Sequence, residues 1–474
     1  MPLDQRRIEA IVSEVLERLE SRRGDAAEPA AGAPRGVHGD LDRAVAAAWE
    51  AFRAYEQTPL ETRRRIIASV RATLAGQYET LARLAVEETG LGRVADKVEK
   101  NRLVTERTPG TEDLEPVTWT GDRGLTLMER APYGVIASIT PVTNPSETIV
   151  NNGISMIAGG NTVVFCPHPS ARRVSCLTVD LVNRAALRAG APLPLLHTVA
   201  EPSIDVARAL LRYPGIRLNV VTGGPAVVQE ALAAGKKAIT AGPGNPPAVV
   251  DETADLERAA RDLVAGASFD NNIVCVDEKE VVAVAMIADR LKEAMARAGA
   301  TLLAPHQAEQ VRRLVLARER GPREHADMDR RWVGRDAGAI LQAAGVACDP
   351  ATRLAVCEVD ADHPFLWTEM MVPVLPLTRV RTVDEAIEFA IRADRPLQAA
   401  SSMHSRNIDK LSKMARLCDC SIFVKNGPNV AGLGFGGEGP TSFTIASPTG
   451  EGLTTARSFT RMRRCTLVDH FRIV

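Results

Sequence analysis

Short, continuously apolar segments alternate with amphipathic ones through the middle of this chain. The apolar segments predict β-strands, at Val135–Thr140, Thr162–Cys166, Leu196–Val199 and Leu218–Thr222. The amphipathic segments predict helices between and after them, at Glu147–Ala158, Ser170–Arg188, Ser203–Arg212 and Pro225–Ala234. Strands that alternate with helices in this way build a parallel sheet that is covered on both faces. The sequence therefore predicts an α/β fold.

A second alternating series follows, between residues 248 and 426. Its predicted strands lie near Ala248–Val250, Leu354–Glu358, Val372–Leu377 and Ser421–Lys425. We therefore expect two parallel-sheet α/β domains, preceded by a helical region over residues 40–90. Two strand-like segments, Gly124–Arg130 and Cys465–Val468, fit neither series. We interpret them as a β-arm that pairs between subunits.

The charge balance narrows the classes of partner. Among 474 residues, 58 Lys and Arg stand against 59 Asp and Glu, a formal net charge of −1. This balance argues against a nucleic-acid or membrane partner held mainly by electrostatics. No apolar run reaches the roughly 18 residues of a membrane span, and the start lacks the pattern of a secretory signal. The eight scattered cysteines are expected to be reduced, so we expect a cytoplasmic protein.

Residues 1–20 form a unit of their own in the sequence. Their apolar residues follow helical spacing and predict one stripe on an amphipathic helix: Ile8, Ile11, Val12, Val15, Leu16 and Leu19. Residues 21–38 are rich in Ala, Gly and Pro and predict a flexible linker. A short tethered helix has no core of its own to cover. Its stripe therefore docks either on the body of this protein or in the groove of a partner.

Two glycine motifs are candidates for a nucleotide phosphate site. Gly432, Gly434 and Gly437 match G-x-G-x-x-G, but no helical pattern follows them, so we interpret them as a glycine-rich turn that lets backbones approach closely. The segment Thr222-Gly223-Gly224-Pro225 follows a predicted strand and opens a predicted helix. A helix N-terminus offers free N–H groups to a pyrophosphate. The alternative for this segment is an ordinary strand-to-helix turn.

Two further residues are candidates for chemistry. Cys275 lies in a polar loop after a helix predicted at Leu256–Ala265, and a cysteine in such a loop is either an exposed nucleophile or inert. Asn144 follows a strand at the carboxyl edge of the sheet, where an amide is a suitable oxyanion donor, although Asn before Pro is also a common turn pair. Cys418 and Cys420 lack the spacing of most zinc pairs, so we predict no metal site.

Long strings of the sequence resemble one family. They are APYGVIASITPVTNPSETIVNNGISMIAGGNTVVFCPHPSA from residue 131, ASFDNNIVCVDEKEVVAV from residue 267, TEMMVPVLPL from residue 368 and GLGFGGEGPTSFTIASPTGEG from residue 432. Through them, residues 40–474 resemble the aldehyde dehydrogenase superfamily. Within it they resemble the CoA-acylating propionaldehyde and acetaldehyde dehydrogenases of bacterial microcompartments. The resemblance implies the aldehyde dehydrogenase fold, with two α/β domains and a β-arm for oligomerisation.

The resemblance also implies roles at the catalytic positions. Cys275 would attack the aldehyde to give a thiohemiacetal, and Asn144 with the backbone N–H of Cys275 would hold the oxyanion. Hydride transfer to NAD⁺ would leave an acyl-enzyme thioester, and CoA would accept the acyl group. Hydrolytic members carry a general-base Glu where this sequence has Thr240. A positioned base contributes about 10²–10⁴-fold, so this departure favours CoA over water.

The implied cofactor residues surround one cleft. They are Thr140 and Pro141 along the cleft, Thr222, Gly223 and Gly224 on the phosphate side, and Glu369 at the nicotinamide ribose. The Lys and Glu that grip the adenosine ribose in hydrolytic members are replaced by Cys166 and Pro169. His168 between them would contact the adenine or a phosphate; its alternative is a surface histidine in a turn. The implied co-substrates are NAD and coenzyme A.

The resemblance suggests a division of the chain and a set of partners. Residues 39–238 would form the NAD/CoA-binding domain, interrupted by an arm strand near 115–132, and residues 239–430 the catalytic domain. Residues 431–474 would be a return segment and oligomerisation strand. Residues 1–20 resemble the encapsulation peptides that direct enzymes into a protein shell, so we expect a homo-oligomer, dimer or tetramer, inside a microcompartment. The alternatives are a hydrolytic NAD(P)-dependent aldehyde dehydrogenase and a non-catalytic shell-interaction protein.

Overall fold

The computed structural model describes residues 34–473. The predicted amphipathic helix at residues 1–20, and the linker as far as residue 33, lie outside the described residues. Val37 and His38, which the sequence analysis assigned to the linker, form a two-residue strand instead. They pair with Thr198 and Val199, because the edge of a parallel sheet offers free backbone groups at that point.

The helices predicted over residues 40–90, between and after the strands of the first series, and at Leu256–Ala265 are present, and others are additional. In chain order they are α1 (Leu41–Tyr55), α2 (Leu60–Ala75), α3 (Tyr78–Thr89), α4 (Val94–Arg107), α5 (Pro145–Ala158), α6 (Arg172–Arg188), α7 (Ile204–Arg212), α8 (Pro225–Leu232), α9 (Leu256–Ala267), α10 (Ala285–Arg297), α11 (Pro305–Val315), α12 (Ala337–Ala343), α13 (Val383–Asp394) and α14 (Ile408–Leu417). The helix predicted from Ser170 opens as a 3-10 turn at Pro169–Ala171 before α6 begins, because Pro169 cannot donate a backbone hydrogen bond.

The strands are shorter than the helices. In chain order they are β1 (Val37–His38), β2 (Val117–Gly121), β3 (Gly124–Pro132), β4 (Val135–Thr140), β5 (Thr162–Pro167), β6 (Leu196–Val199), β7 (Leu218–Thr222), β8 (Lys237–Ala241), β9 (Pro247–Val250), β10 (Glu280–Val284), β11 (Thr301–Leu303), β12 (Leu316–Arg318), β13 (Asp327–Met328), β14 (Ala355–Glu358), β15 (Val374–Val380), β16 (Ala400–His404), β17 (Ile422–Lys425), β18 (Ile445–Ala446), β19 (Gly452–Leu453) and β20 (Thr460–Val468).

The first sheet has six parallel strands in the order β1-β6-β5-β4-β7-β8. Every residue of β4, β5 and β7 is buried, which explains why these strands are continuously apolar. From β4 the chain moves to β5 and β6 on one side, and β7 and β8 lie on the other. This reversal of strand order opens a crevice beyond the carboxyl ends of β4 and β7, where doubly wound sheets bind ligands.

The second sheet has seven parallel strands in the order β11-β14-β15-β10-β9-β16-β17. The four strands predicted from the sequence are present, and β10, β11 and β16 are additional. The alternation that predicted two parallel sheets is therefore confirmed, while the division of the chain into domains at residues 238 and 430 stays a prediction.

The two strand-like segments outside both series pair with each other. β3 lies between β2 and β20 in a three-stranded antiparallel sheet. Leu127 is opposite Cys465, and Gly124 is opposite Val468. We call this three-stranded sheet the arm. Its strands are joined within one chain, and pairing between subunits stays a prediction.

The glycine-rich turn is confirmed as a site of close backbone approach. Gly434 has φ 107°, and a Cβ on Gly437 would stand 2.1 Å from the carbonyl oxygen of Ala431. No helix opens at these glycines, so they do not form a dinucleotide fingerprint.

Candidate active site

The loop that carries Cys275 has an unusual backbone. After α9 ends, a 3-10 turn covers Phe269–Asn272, and Asp270, Asn271 and Asn272 have φ values of 43°, 56° and 65°. Three successive non-glycine residues in the left-handed region are strained, although Asp and Asn tolerate it best. Such strain persists only where surrounding contacts hold it, and it concentrates at functional sites.

Side-chain hydrogen bonds hold this loop in place. Asn271 Nδ2 donates to the carbonyl of Gly334 at 2.9 Å, and Asn272 Nδ2 donates to the carbonyls of Ala267 and Glu278, each at 2.9 Å. The buried Lys279 Nζ donates to Asn272 Oδ1 at 2.8 Å and to two carbonyls of the same loop. The main chain that presents Cys275 is therefore rigid.

Cys275 itself is half-buried rather than fully exposed. Burial raises the pKa of its thiol to about 12, and the negative charge of Glu369 acts in the same direction, against the opposing charge of Lys279. Gly244 packs against the loop, because a Cβ there would stand 2.3 Å from the carbonyl oxygen of Cys275. The thiol is protonated at neutral pH in this state and needs a base or a change of environment to react.

Asn144 immediately precedes α5, in the turn that follows β4 at the crevice. It is 6% exposed, and its carbonyl oxygen accepts hydrogen bonds from the backbone N–H and the hydroxyl of Thr148. Its side-chain Oδ1 accepts a hydrogen bond from Lys100 Nζ at 2.6 Å, and its Nδ2 donates to Thr143 Oγ1 at 3.1 Å. The amide is therefore held at both ends.

Lys100 belongs to a buried cluster of four charged side chains. Lys97 and Lys100 lie three residues apart on α4 and therefore on one face, and both are fully buried with Asp270 and Glu147. Lys97 and Lys100 both donate to Asp270 Oδ2, and Lys100 Nζ lies 3.4 Å from Glu147 Oε1. Burial opposes the charge of Lys100, but Asp270 and Glu147 outweigh it and raise its pKa. Two positive and two negative charges compensate one another.

The sequence analysis did not identify the two lysines as part of the site. In α4 they resemble the exposed lysines of any polar helix. The run Asp270-Asn271-Asn272 does carry a signal, since three consecutive Asp and Asn residues favour left-handed backbone.

The residues expected along the cofactor cleft lie at the ends of neighbouring strands. Thr140 ends β4 and its carbonyl accepts a hydrogen bond from the backbone N–H of His168 at 3.1 Å; Pro141 follows directly. The buried Oγ1 of Thr140 has no hydrogen-bond partner within residues 34–473. His168 Nδ1 accepts a hydrogen bond from the backbone N–H of Ser170, and partial burial of the ring and the nearby Arg330 both lower its pKa.

The predicted phosphate turn lies at the neighbouring strand end. Thr222 ends β7, and its hydroxyl shares a hydrogen bond with Thr444 Oγ1 at 2.9 Å. Gly223 donates its N–H to the carbonyl of Ala241. A Cβ on Gly224 would meet nothing within 4 Å among the described residues, and α8 begins at the next residue. The open space at a helix N-terminus and the unpaired hydroxyl of Thr140 fit a dinucleotide.

Glu369 and Thr240 are the two remaining residues of the expected site. Glu369 Oε1 accepts the backbone N–H of Gly244 at 3.1 Å, and burial raises the pKa of this carboxyl group. Thr240 is fully buried in β8, and its Oγ1 has no hydrogen-bond partner in the described part of the chain. A hydroxyl group has no basic form at neutral pH, so Thr240 supplies no general base.

Comparison with known proteins decides the family. Residues 12–453 match the aldehyde dehydrogenase family. The chain belongs to this family. It is 50% identical to the acetylating acetaldehyde dehydrogenase EutE of Salmonella typhimurium over 476 residues, 100% of each chain.

Two solved structures extend the comparison. One is a propionaldehyde dehydrogenase of Rhodopseudomonas palustris with bound CoA and an acylated cysteine (48% identity, TM-score 0.89, covering 92% of this chain and 98% of that one). The other is a propionaldehyde dehydrogenase from the fucose utilisation microcompartment of Clostridium phytofermentans (43% identity, TM-score 0.90, covering 93% and 100%). The predicted aldehyde dehydrogenase fold is therefore confirmed.

Two kinds of feature are absent from residues 34–473. No group of three or more His, Cys, Asp or Glu side chains there is arranged to hold a metal ion. No helix within those residues is both long and apolar enough to cross a membrane.

Proposed function

We propose that this aldehyde dehydrogenase is CoA-acylating and converts a short-chain aldehyde, CoA and NAD⁺ into acyl-CoA and NADH. The observation that carries the proposal is the buried Thr240, which leaves the site without the general base that hydrolysis needs. A CoA thiol needs less help, because its thiolate is already a strong nucleophile. The acetylating acetaldehyde dehydrogenase of Salmonella typhimurium and the CoA-bound propionaldehyde dehydrogenase of Rhodopseudomonas palustris support the same reaction.

Cys275 is the nucleophile in this proposal. The thiol releases its proton to water, its sulfur adds to the aldehyde carbon as the thiolate, and the carbonyl oxygen becomes the oxyanion of a thiohemiacetal. Asn144 Nδ2 and the backbone N–H of Cys275 donate hydrogen bonds to that oxygen. Loss of hydride from the same carbon leaves a thioester on Cys275, and attack by CoA releases acyl-CoA and restores the thiol. The reaction is therefore ping-pong.

In this proposal the cofactor residues have the roles that the family resemblance implies. NAD⁺ supplies the hydride acceptor. Gly223 and Gly224 leave room for a pyrophosphate at the start of α8, and Thr140 and Pro141 line the cleft beside it. Glu369 would hydrogen-bond the nicotinamide ribose, and His168 would contact the adenine or a phosphate of NAD⁺ or CoA.

One assay separates this reaction from its rivals. NADH formation is followed with an aldehyde and NAD⁺, with and without CoA, over a panel of short-chain aldehydes, and products are identified by mass. We expect NADH formation to depend on CoA and to yield an acyl-CoA. A full rate without CoA, with a free acid as product, contradicts the proposal in favour of a hydrolytic enzyme. Absence of NAD binding by calorimetry favours a non-catalytic shell-interaction protein.

We infer that residues 1–20 direct the enzyme into a microcompartment by docking on a shell protein. The amphipathic stripe and the linker after it support this, as does the source of the Clostridium phytofermentans relative. Deletion of residues 1–20 is expected to leave activity in solution and to release the enzyme from purified shells. Retention of the deleted enzyme in shells contradicts this role.

We also infer that the arm joins two copies of this chain. Its strands expose large apolar side chains, among them Trp119 at 50%, Met462 at 51% and Val468 at 64% of their full exposure. Such side chains favour burial against an equal surface. Val468→Glu is expected to lower the mass measured by light scattering, whereas Ile408→Glu, an equally exposed apolar position on α14, leaves it unchanged. An unchanged mass for Val468→Glu contradicts an interface at the arm.

A further inference from the structure

A single buried ammonium group contacts both parts of the catalytic site. Lys100 Nζ donates to Asn144 Oδ1 at 2.6 Å and also to Asp270 Oδ2, five residues before Cys275 in the rigid loop. Lys97 Nζ also joins the turn after β4 to this loop, but it contacts the main-chain carbonyl of Thr143. Among the contacts of residues 34–473, Lys100 is the side chain that hydrogen-bonds both Asp270 and the amide of Asn144.

The chemistry of the ammonium group fixes the orientation of the amide. A lysine ammonium donates hydrogen bonds and accepts none. The amide oxygen of Asn144 must therefore face Lys100, and the NH₂ group must point to the opposite side, where it reaches Thr143 Oγ1 at 3.1 Å. The terminal torsion of an asparagine is broad and nearly two-fold, so without this contact the oxygen and nitrogen exchange places readily.

We propose that Lys100 is a positioning residue, which holds the amide of Asn144 with its NH₂ group toward the reacting aldehyde oxygen and ties that amide to the Cys275 loop through Asp270. The inference rests on the proposed function, in which Asn144 stabilises the oxyanion. A reversed amide presents its own oxygen to the developing negative charge and repels it, so the orientation decides whether Asn144 helps or hinders.

The buried charges make Lys100 suited to this task. Asp270 and Glu147 compensate Lys97 and Lys100 in a site that excludes water, so the ammonium group stays charged and its hydrogen bonds stay strong. A hydrogen bond to a charged donor also polarises the amide, which makes its N–H groups better donors.

Lys97 provides a matched control in the same helix. It is equally buried and also donates to Asp270 Oδ2, at 3.0 Å. Its other hydrogen bond goes to the main-chain carbonyl of Thr143 at 2.9 Å rather than to the amide of Asn144. Its removal therefore disturbs the same cluster without freeing the Asn144 side chain.

A double-mutant cycle on the full-length enzyme tests the inference. kcat and KM are measured for Lys100→Met, Asn144→Ala and both together, and the same cycle is run with Lys97→Met. Asn144→Ala is expected to lower kcat about 10²–10³-fold, and Lys100→Met about 10–100-fold. In the Asn144→Ala background, Lys100→Met lowers kcat less than about twofold further. Lys97→Met is expected to lower kcat by the same factor in the wild-type enzyme and in the Asn144→Ala variant.

Each other outcome has a definite meaning. Equal losses from Lys100→Met in both backgrounds overturn the inference, because the lysine then acts independently of Asn144. A full rate for Asn144→Ala contradicts the oxyanion role in the proposed function instead. If Lys100→Met does not fold, Lys100→Met with Asp270→Asn keeps the buried charges balanced and is compared with Asp270→Asn alone in both backgrounds. NAD binding by calorimetry, expected unchanged throughout, separates the effect from general damage to the site.

Discussion

The α-carbon of Gly244 lies directly against the main-chain carbonyl of Cys275: a Cβ there would stand 2.3 Å from that oxygen. The N–H of the same glycine donates to Glu369 Oε1 at 3.1 Å. Gly244 therefore joins the loop of Cys275 to Glu369, the carboxylate whose charge adds to burial in raising the pKa of the Cys275 thiol.

Gly244→Ala tests this contact. The added methyl group forces the Cys275 carbonyl away, and overpacking of this kind costs about 1–3 kcal/mol. We expect kcat to fall at least about tenfold, measured as CoA-dependent NADH formation. Gly242→Ala is the control, because a Cβ there lies at an ordinary 3.6 Å from Pro448. Equal rates for the two variants contradict the importance of the contact.

Cys275→Ala tests the nucleophile. We expect no CoA-dependent NADH formation, since no sulfur remains to form the thiohemiacetal. NAD binding by calorimetry should persist, because the residues assigned to the cofactor are untouched. Cys348→Ala, a half-buried cysteine outside the site, serves as the control and keeps its activity. Substantial activity in the Cys275 variant refutes the assignment.

The raised pKa of Cys275 predicts the pH dependence of its alkylation in the absence of NAD. With a pKa of about 12, the thiolate fraction rises roughly tenfold per pH unit between pH 7 and 10. The rate of reaction with iodoacetamide should rise with it and show no plateau. Glu369→Gln removes a negative charge that raises this pKa, so alkylation at fixed pH becomes faster. A plateau near pH 8, or slower alkylation of Glu369→Gln, contradicts this environment.

Thr240→Val tests whether the hydroxyl of Thr240 takes part in catalysis. The Oγ1 atom is buried and has no hydrogen-bond partner in the described residues. Its replacement by a methyl group of similar shape removes a desolvated polar atom, so the unfolding temperature should stay or rise. The CoA-dependent rate should stay within about twofold. A large loss of rate reveals a catalytic role for this hydroxyl.

Asp270→Asn tests the buried charge cluster. The substitution leaves Glu147 as the one carboxylate beside Lys97 and Lys100 in the cluster. Breaking a buried ion pair lowers the stability of the fold by about 3–5 kcal/mol. The free energy of unfolding, measured in urea at pH 7, should fall by that amount. Lys100 and Lys97 outweigh the effect of burial and hold the pKa of Asp270 below its usual range. Its contribution is therefore present above the unfolded pKa near 4 and is lost as the pH falls below it.

At acid pH the unfolding free energies of the wild-type enzyme and of Asp270→Asn should therefore become similar. The difference in unfolding free energy between wild type and Asp270→Asn should narrow as the pH is lowered from 5 toward 3. A difference that is constant over this range shows that the charge of Asp270 does not stabilise the fold.

Much of the architecture was predictable from local pattern. β4, β6 and β7 begin and end at the predicted residues, because strands buried on both faces are rich in apolar residues. β10, β11 and β16 were missed. β10 and β16 are fully buried, but the apolar run of β10 continues into α10 without a turn residue between them, and serines and a histidine fill β16.

The sequence by itself determined the two parallel sheets and the glycine turn after β7, because each depends on residues that are neighbours in the chain. It singled out Cys275 and Asn144 as a pair only through the family resemblance of long strings. Only the tertiary structure decided that Lys100 orients Asn144. Lys100 and Asp270 are 170 positions apart in the sequence and contact each other only in the fold. In the sequence both look like ordinary surface charges, and only the fold shows that they are buried. Burial is what turns these charges into strong, directed contacts, since water no longer screens them.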